Sequence, residues 1–452
     1  KKAFEHSLDS SKRDPAQSAT DLSAPEQNAL EQNVASSSAW AVFKDDTLDA
    51  LRQQALEHNT DIAIAYANWL RASTTVRDAQ LDFWPQPLTT AQFDEKEDSM
   101  NEAFPAVHQG EAYQSHRITQ SFNWELDVVG RVRRLSESAR AALSAQTQEL
   151  MQWKMLTQAE VVRYYFILRG TQSQLASTRT NAQGQRETWE LTQSRFEAGA
   201  ATPIDVQRAK SQYYATLAAL PPLERTIVAA QQRLAVLTGV ESAPWRERLK
   251  ASTPLPVIPD PAQWDITPQR ILQHRPDVLA AEARLHQATA DIGVVQAQWY
   301  PRLTLLADAG LASENVSDLG DGDSVFTLLG VGVQWSGLGV FRVKNRVKRA
   351  KALAEQAHAE YKKVVLLAFE EVENALVNHR STRAITQSLA LSAEAARSAA
   401  RLARERYEGG VIGFIEVLDA EKRLLDLESQ LAAAKTQEAL AVVALMRSVA
   451  LQ

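Results

Sequence analysis

The chain has 452 residues, a net charge of −6 and no cysteine, which excludes disulfides, thiolate metal sites and a cysteine nucleophile. Without long basic runs it does not look built for nucleic acid, and its length allows two or three ordinary domains or one elongated one. Ala, Leu, Gln, Glu and Arg dominate, the mixture of long helices, yet no window reaches ~18 consecutive apolar residues, so a membrane-spanning helix is not expected.

The chain opens on "KKAFEHSLDSSKRD" with no signal-peptide pattern, which reads as either a cytosolic start or a mature form. Residues 1–39, rich in Ser, Ala, Gln and charge, read as a weakly structured peripheral arm. The rest of the chain is a tandem repeat. Leu56–Pro85 laid over Leu272–Pro301 at an offset of 216 gives eight identities in thirty positions, among them His58/His274, Asp61/Asp277 and Pro85/Pro301. Further on the offset is 211: Trp124 meets Trp335, Arg131 meets Arg342, and Ser194–Ala209 meets Glu405–Ala420. The second copy therefore lacks five residues between Pro301 and Trp335.

Each copy reads as helix, hairpin, very long helix, tip, helix. The first helix runs to Trp84 in copy one and from about Pro276 to Tyr300 in copy two, with proline tolerated at its first turn and Pro85 and Pro301 ending it. Period two then takes over. Leu303, Leu305, Ala307, Ala309 and Leu311 share one face, and after a turn-rich stretch Val325, Thr327, Leu329, Val331, Val333 and Trp335 do the same. Copy one is weaker: Ile118, Phe122, Trp124 and Leu126 alternate with polar residues, but Gln120 interrupts, and a partner strand falls near Leu88–Asp94. Arg342 to about Glu408 contains no Gly or Pro, and Arg131–Ala198 only Gly170 and Gly184. The spacing of Val347, Ala350, Ala354, Ala357, Tyr361, Val364 and Ala368 is a coiled-coil seam of mostly small knobs. The tips "EAGAATP" and "EGGVIGF" reverse the chain at Gly199 and Gly410, and return helices start at Pro203 and, after Gly413, at Phe414. Leu424, Leu427, Leu431, Ala434, Ala441 and Leu445 continue the seam, broken by Glu438.

On helices alone a soluble coiled-coil scaffold or adaptor remains an alternative. The hairpins argue for a membrane. Four strands cannot close a barrel, for which about eight are needed, and hydrocarbon tolerates no open edge; insertion therefore requires several copies. Trp84, Trp299 and Tyr300 sit where helix gives way to strand, where an aromatic belt belongs; core aromatics at a junction are the other reading.

Four motifs in order, "WELDVVGRVRR" (Trp124–Arg134), "HRPDVLAAEARL" (His274–Leu285), "QWYPRLTL" (Gln298–Leu305) and "RYEGGVIGFIEVLDAEKRL" (Arg406–Leu424), resemble those of outer-membrane efflux proteins of the TolC superfamily, in its OprM/VceC-like branch. The resemblance covers Trp40 to about Ala450. It implies a mixed α and β membrane protein, a homotrimer in which each duplicated protomer gives four strands to a twelve-stranded β-barrel and coiled-coil helices to a periplasmic α-barrel. On that reading 1–45 is an arm and equatorial segment, 46–85 the helix of repeat 1, 86–127 its hairpin and 128–241 its periplasmic helices. Residues 242–266 form an equatorial connection; 267–300, 301–336 and 337–452 repeat the helix, hairpin and periplasmic helices. The implied function is a passive exit duct for drugs and toxic amphiphiles, working with a periplasmic adaptor (membrane fusion protein) and an inner-membrane RND or MFS transporter, and without cofactor. Its gate would be Ile415 and Asp419, whose copy-one counterparts are Ile204 and Arg208; the tips at Gly199, Pro203, Gly410 and Gly413 would face the adaptor, and Trp84, Trp299 and Tyr300 the outer-membrane lipid boundary. Relatives often carry an acylated N-terminal cysteine; here either it preceded Lys1 or this member is not lipidated.

An enzyme is not expected. GxxxxGK[ST], HExxH and GxSxG are absent, and the eight histidines are dispersed. Glu125 and Asp127 resemble an acid pair but read better as a polar rim at a strand end; Glu370, Glu371 and Glu373 read as a solvated helix face or lumen lining.

Overall fold

A computed structural model describes residues 40–97, 112–239, 243–250, 255–261, 264, 266–335 and 337–450. The N-terminal arm over 1–39, the tip of the first hairpin and part of the 242–266 connection lie outside the described residues. The elements in chain order are α1 (Asp46–His58), α2 (Thr60–Leu81), β1 (Gln86–Glu97), β2 (Ala112–Leu126), α3 (Arg131–Glu197), α4 (Pro203–Ala218) and α5 (Leu220–Thr238). After α6 (Ala243–Lys250) come α7 (Pro268–His274), α8 (Pro276–Gln296), β3 (Arg302–Ser313), β4 (Val325–Gln334), α9 (Val340–Glu408) and α10 (Phe414–Ser448). No described helix is long and apolar enough to cross a membrane.

Two compact units emerge, one from Lys1–Thr60, Met155–Ile266 and Glu371–Gln452, the other from Asp61–Lys154 and Thr267–Glu370. The first unit holds the larger apolar core. Trp40 and Phe43 from a short 3-10 turn, Leu48 and Leu51 from α1, Val162, Tyr165 and Phe166 from α3, Leu234 from α5 and Val442 and Met446 from α10 pack together. Phe43 meets Phe166 edge-on at 5.2 Å between centroids, the arrangement their quadrupoles favour. Asp45 fixes the start of α1 by accepting from the backbone N–H of Thr47 and Leu48 at 2.9 and 3.0 Å, which satisfies orphan donors.

The expected single helix over 46–85 is two helices. Asn59 takes an extended conformation and its amide donates to the Leu237 carbonyl at 2.9 Å, so a bond to a residue 178 positions away breaks the helix. The second copy breaks at the equivalent position, Arg275, because the residue before Pro276 is sterically barred from helical ψ. The first helices also end earlier than Trp84 and Tyr300. Turns in which Trp84 N–H reaches the Leu81 carbonyl and Tyr300 N–H the Ala297 carbonyl carry the chain to the prolines. The copy-one return helix is divided at Ala219, just before Leu220-Pro221-Pro222, since prolines supply no N–H for a continuous ladder.

The 67-residue α3 and the 69-residue α9 each contribute to both units. Along α9 the buried positions Val343, Ala350, Ala368, Val372, Ala375, His379, Thr386, Ala393, Ala396 and Ala400 fall, with half-buried residues such as Val347, Ala354, Ala357, Tyr361, Val364, Thr382 and Leu389 between them, at three- and four-residue steps. The seam runs the length of the helix and is rich in alanine, which lets helices approach closely.

The second unit contains the sheet, a single antiparallel layer in the order β1-β2-β3-β4. Both hairpins share one register: Phe122 faces Pro87 in the first and Val333 faces Leu303 in the second, which are the same positions under the sequence offsets. β1 and β3 correspond end to end at 216. The five residues absent from copy two therefore fall in the connection between the strands of its hairpin. Beneath the sheet Val76 and Ala79 of α2 pack on Ala139 of α3, and the Trp69 indole donates to Thr147 Oγ1 at 3.1 Å.

Candidate functional site

Strand parity sorts the sheet into two chemistries. One face carries Ala91 and Phe93 of β1, Ile118, Phe122 and Trp124 of β2, Leu303, Leu305 and Leu311 of β3, and Val325, Leu329, Val331 and Val333 of β4. The other carries Thr90, Gln92 and Asp94, Arg117, Thr119, Ser121, Asn123 and Glu125, then Arg302, Thr304 and Asp308. In one chain the edge strands of this face are the most exposed, Leu329 at 86% and Val333 at 64%, while Leu303, Leu305 and Leu311 are half-buried. Burying such side chains is worth roughly 1.5–3 kcal/mol each; a contiguous exposed set marks a surface that a partner or a membrane covers. Gln120, the residue that breaks the alternation, accepts a 2.6 Å bond from the Thr89 hydroxyl directly across the ladder, so much of its polarity is satisfied within the sheet. β1 and β4 are both edges with unpaired backbone groups.

Trp84, Trp299 and Tyr300 are all solvent-exposed in the single chain, at 69, 37 and 60%, beside the ends of β1 and β3. A contact the sequence did not disclose ties this boundary together in both copies. The Trp124 indole N–H donates to the Phe83 carbonyl at 2.9 Å, and the Trp335 indole N–H to the Trp299 carbonyl at 3.1 Å. Both donors and both acceptors are repeat equivalents, so each hairpin is clasped to its own helix end. The recurrence of Trp124 and Trp335 at one offset was the only available signal.

Past β2 the acids Glu125 and Asp127 do not form a pair. Glu125 takes Arg131 in two bonds at 2.7 and 2.8 Å. Asp127 accepts from the backbone N–H of Val132 and Arg133, both at 3.0 Å, and from the Arg133 guanidinium. Burial works to raise the Asp127 pKa, but these donors outweigh it and hold the carboxyl below its ordinary range. The group is a helix cap, not a general acid. Glu371 is engaged by Arg447 at 2.7 Å, and among the described residues no His, Asp or Glu cluster could hold a metal.

At the tips of the long helices Gly199 and Gly410 have φ of +77 and +74°, left-handed values that glycine alone adopts without strain. Pro203 opens α4 after Thr202, whose capping box with Asp205 is complete, and Gly413 precedes α10 with an extended backbone. Phe414 and Val417 are buried, and Phe414 meets Tyr407, whose ring also receives Arg195 at 4.4 Å. Arg404 and Glu421 pair at 2.5 Å. The tip of α10 is thus held on α3 and α9 by its buried side. Ile415 and Asp419, one turn apart, are left exposed, as is Ile204 in copy one.

The family model described as outer membrane efflux protein matches the chain twice, over residues 51–240 and 267–450, once per repeat. Nodulation protein T of Rhizobium leguminosarum bv. trifolii is 29% identical over 398 residues, covering 87% of this chain and 83% of its own. Outer membrane protein OprJ of Pseudomonas aeruginosa is 30% identical over 336 residues, 72% of this chain and 67% of its own. Among solved structures the outer-membrane channel OprN superposes with a TM-score of 0.84 at 33% identity, covering 91% of each chain. VceC of Vibrio cholerae, at 22% identity, shows the same fold with a TM-score of 0.82 over 91% of this chain and 97% of its own. Matched by the family model over both repeats and sharing the fold of OprN, the chain belongs to the outer membrane efflux protein family, whose members are non-enzymatic channels of the outer membrane with a large periplasmic part.

Proposed function

We propose that three copies pool their sheets into one twelve-stranded barrel and form the exit duct of a tripartite efflux system, passing drugs and other toxic amphiphiles from periplasm to exterior. The observation that carries this is the open sheet with an apolar face and two unpaired edges. Edges cannot face hydrocarbon, eight strands from two copies would fill their own interior, and twelve leave room for water. Ten residues in β4, at about 3.3 Å each and tilted by about 40°, rise roughly 25 Å, the height of an outer-membrane apolar band. Trp84, Trp299 and Tyr300 then serve as the interfacial belt.

The periplasmic end closes at Ile415 and Asp419, which their exposure leaves available for an axis shared by three copies. Three Asp419 carboxylates around a narrow opening repel one another and select cations. The turns at Gly199, Pro203, Gly410 and Gly413 receive a periplasmic adaptor, which links the duct to an inner-membrane RND or MFS transporter. The test is a planar-bilayer recording on protein purified in detergent, whose mass should be three times the 50.0 kDa chain plus micelle. Wild type conducts weakly, and Asp419→Ala raises single-channel conductance several-fold. A monodisperse monomer without detergent sinks the duct; unchanged conductance removes Asp419 from the gate.

A further inference from the structure

The two repeats treat the junction between sheet and long helix differently. In copy one Glu125 and Asp127 neutralise Arg131 and Arg133. In copy two the offset of 211 brings Arg342 and Lys344 onto the two cations, but Ser336 and Leu338 onto the two acids. The cations are retained and their counter-charges are gone.

Beside this junction lies a cavity of about 370 Å³ lined by Arg131, Arg302, Arg342 and Arg346 and by one carboxylate, Glu125. Four positive charges against one negative leave three. Glu125 is committed to Arg131 and, at 3.5 Å, to Arg302, while Arg346 donates to the neutral Gln298 Oε1 at 2.9 Å. Arg342 is exposed and has no acidic partner among the described residues. Much of the remaining wall is apolar, with Leu126, Val129 and Tyr300. Arg342 and Arg346, which have no acid of their own beside them, are self-repelling, and guanidinium forks match oxyanions in bidentate fashion; apolar walls beside them suit a carbon skeleton.

We propose that this cavity binds an amphipathic organic anion, an apolar body carrying one carboxylate, sulfonate or phosphate, recognised by Arg342 and Arg346. Glu125 and Arg302 lie on the polar face of the sheet, so the ligand is a solute of the aqueous conduit and not a lipid; that assignment of sides rests on the channel reading above.

The test is isothermal titration of the full chain, in an uncharged detergent, with naphthalene-2-sulfonate and with neutral naphthalene-2-sulfonamide. The sulfonate binds, and the sulfonamide is weaker by about tenfold or more, the size expected for one charge-assisted contact. Arg342→Gln weakens the sulfonate by a similar factor. Ser336→Glu does the same with every arginine in place, because it restores the acid that copy one uses. Circular dichroism at 222 nm verifies that both variants are folded. Equal binding of the sulfonamide, no binding of the sulfonate, or affinity untouched by both substitutions overturns the proposal. So does displacement of the sulfonate by phosphatidylglycerol in nanodiscs, which assigns the cavity to a lipid headgroup. Titration needs no pore: a protein that conducts but does not bind refutes the anion site alone, and one that binds without conducting refutes the duct alone.

Discussion

Gly239→Ala should be the most damaging single methyl in the periplasmic part. Gly239 ends α5 in a left-handed conformation, φ +66°, with its N–H directed to the carbonyls of Ala235 and Val236. A methyl there would lie 2.8 Å from the carbonyl carbon of His58 and closer still to its oxygen. The left-handed conformation costs about 1–2 kcal/mol with a Cβ. Overpacking against backbone, which no rotamer change relieves, adds about 1–3 kcal/mol. Any retreat of α1 stretches the bond from Asn59 to the Leu237 carbonyl. The stiffer unfolded chain returns about 0.4–1 kcal/mol, leaving a net loss of about 3 kcal/mol. Two glycines of α3 calibrate the result. Gly170→Ala meets Thr436 Cγ2 at 2.8 Å and Cβ at 3.0 Å, a side-chain clash that the ~1 kcal/mol gain in helix propensity partly offsets, for a net loss of about 1 kcal/mol. Gly184→Ala meets nothing within 4 Å and should gain up to about 1 kcal/mol. Thermal melts followed at 222 nm should rank Gly184→Ala above wild type, then Gly170→Ala, then Gly239→Ala, and Thr436→Ala should rescue only the Gly170 variant. If Gly239→Ala melts with wild type, the close approach of α1 and α5 is misjudged.

Tyr165 is buried with its hydroxyl donating to Asp45 Oδ2 at 2.7 Å. Burial first, and that bond second, push its pKa up from 10.0 to about 12. A raised folded value means stability in full below pH 10 that is lost as pH climbs through about 12. Alkaline melts of wild type should fall over that window, and Tyr165→Phe should flatten the fall. Trp335→Phe removes the donor to the Trp299 carbonyl. About 1 kcal/mol of lost bonding should speed hydrogen exchange at the Tyr300 amide roughly fivefold, and an unchanged rate speaks against the clasp.

Legibility in the sequence followed the range of the cause. β3 and β4 could be read because their parity is uninterrupted and one face is apolar but for Thr327; α3 and α9 because almost nothing in them breaks a helix. β1 was faint because Thr89, Glu95 and Glu97 fall on its apolar face, and β2 because Gln120 finds its partner in another strand. The break at Asn59 was hidden, since its acceptor lies in α5. The division at Ala219 did have a local signal, Pro221-Pro222, which seam periodicity overrode. Ile415 and Asp419 were identified by motif alone. In one chain both are exposed near the start of α10, and the gate belongs to the proposed assembly of several copies. The aromatic boundary was visible as Trp84, Trp299 and Tyr300, but the indole bonds that organise it depend on the return of β2 and β4 to the helix ends.

The inner seam between β2 and β3 joins the two halves of the gene product, with Phe122 opposite Ala307. In the trimer proposed above, the same pairing shifted by the two offsets would set Val333 opposite the neighbour's counterpart of Ala91 and Val331 opposite that of Phe93. Apolar side chains would meet in the middle of that seam, while its ends would set Leu329 against a glutamate and Trp335 against a threonine. In the proposed trimer one polypeptide would thus rehearse internally the joint it makes with its neighbour, as if a half-length forebear had once assembled as a ring of six.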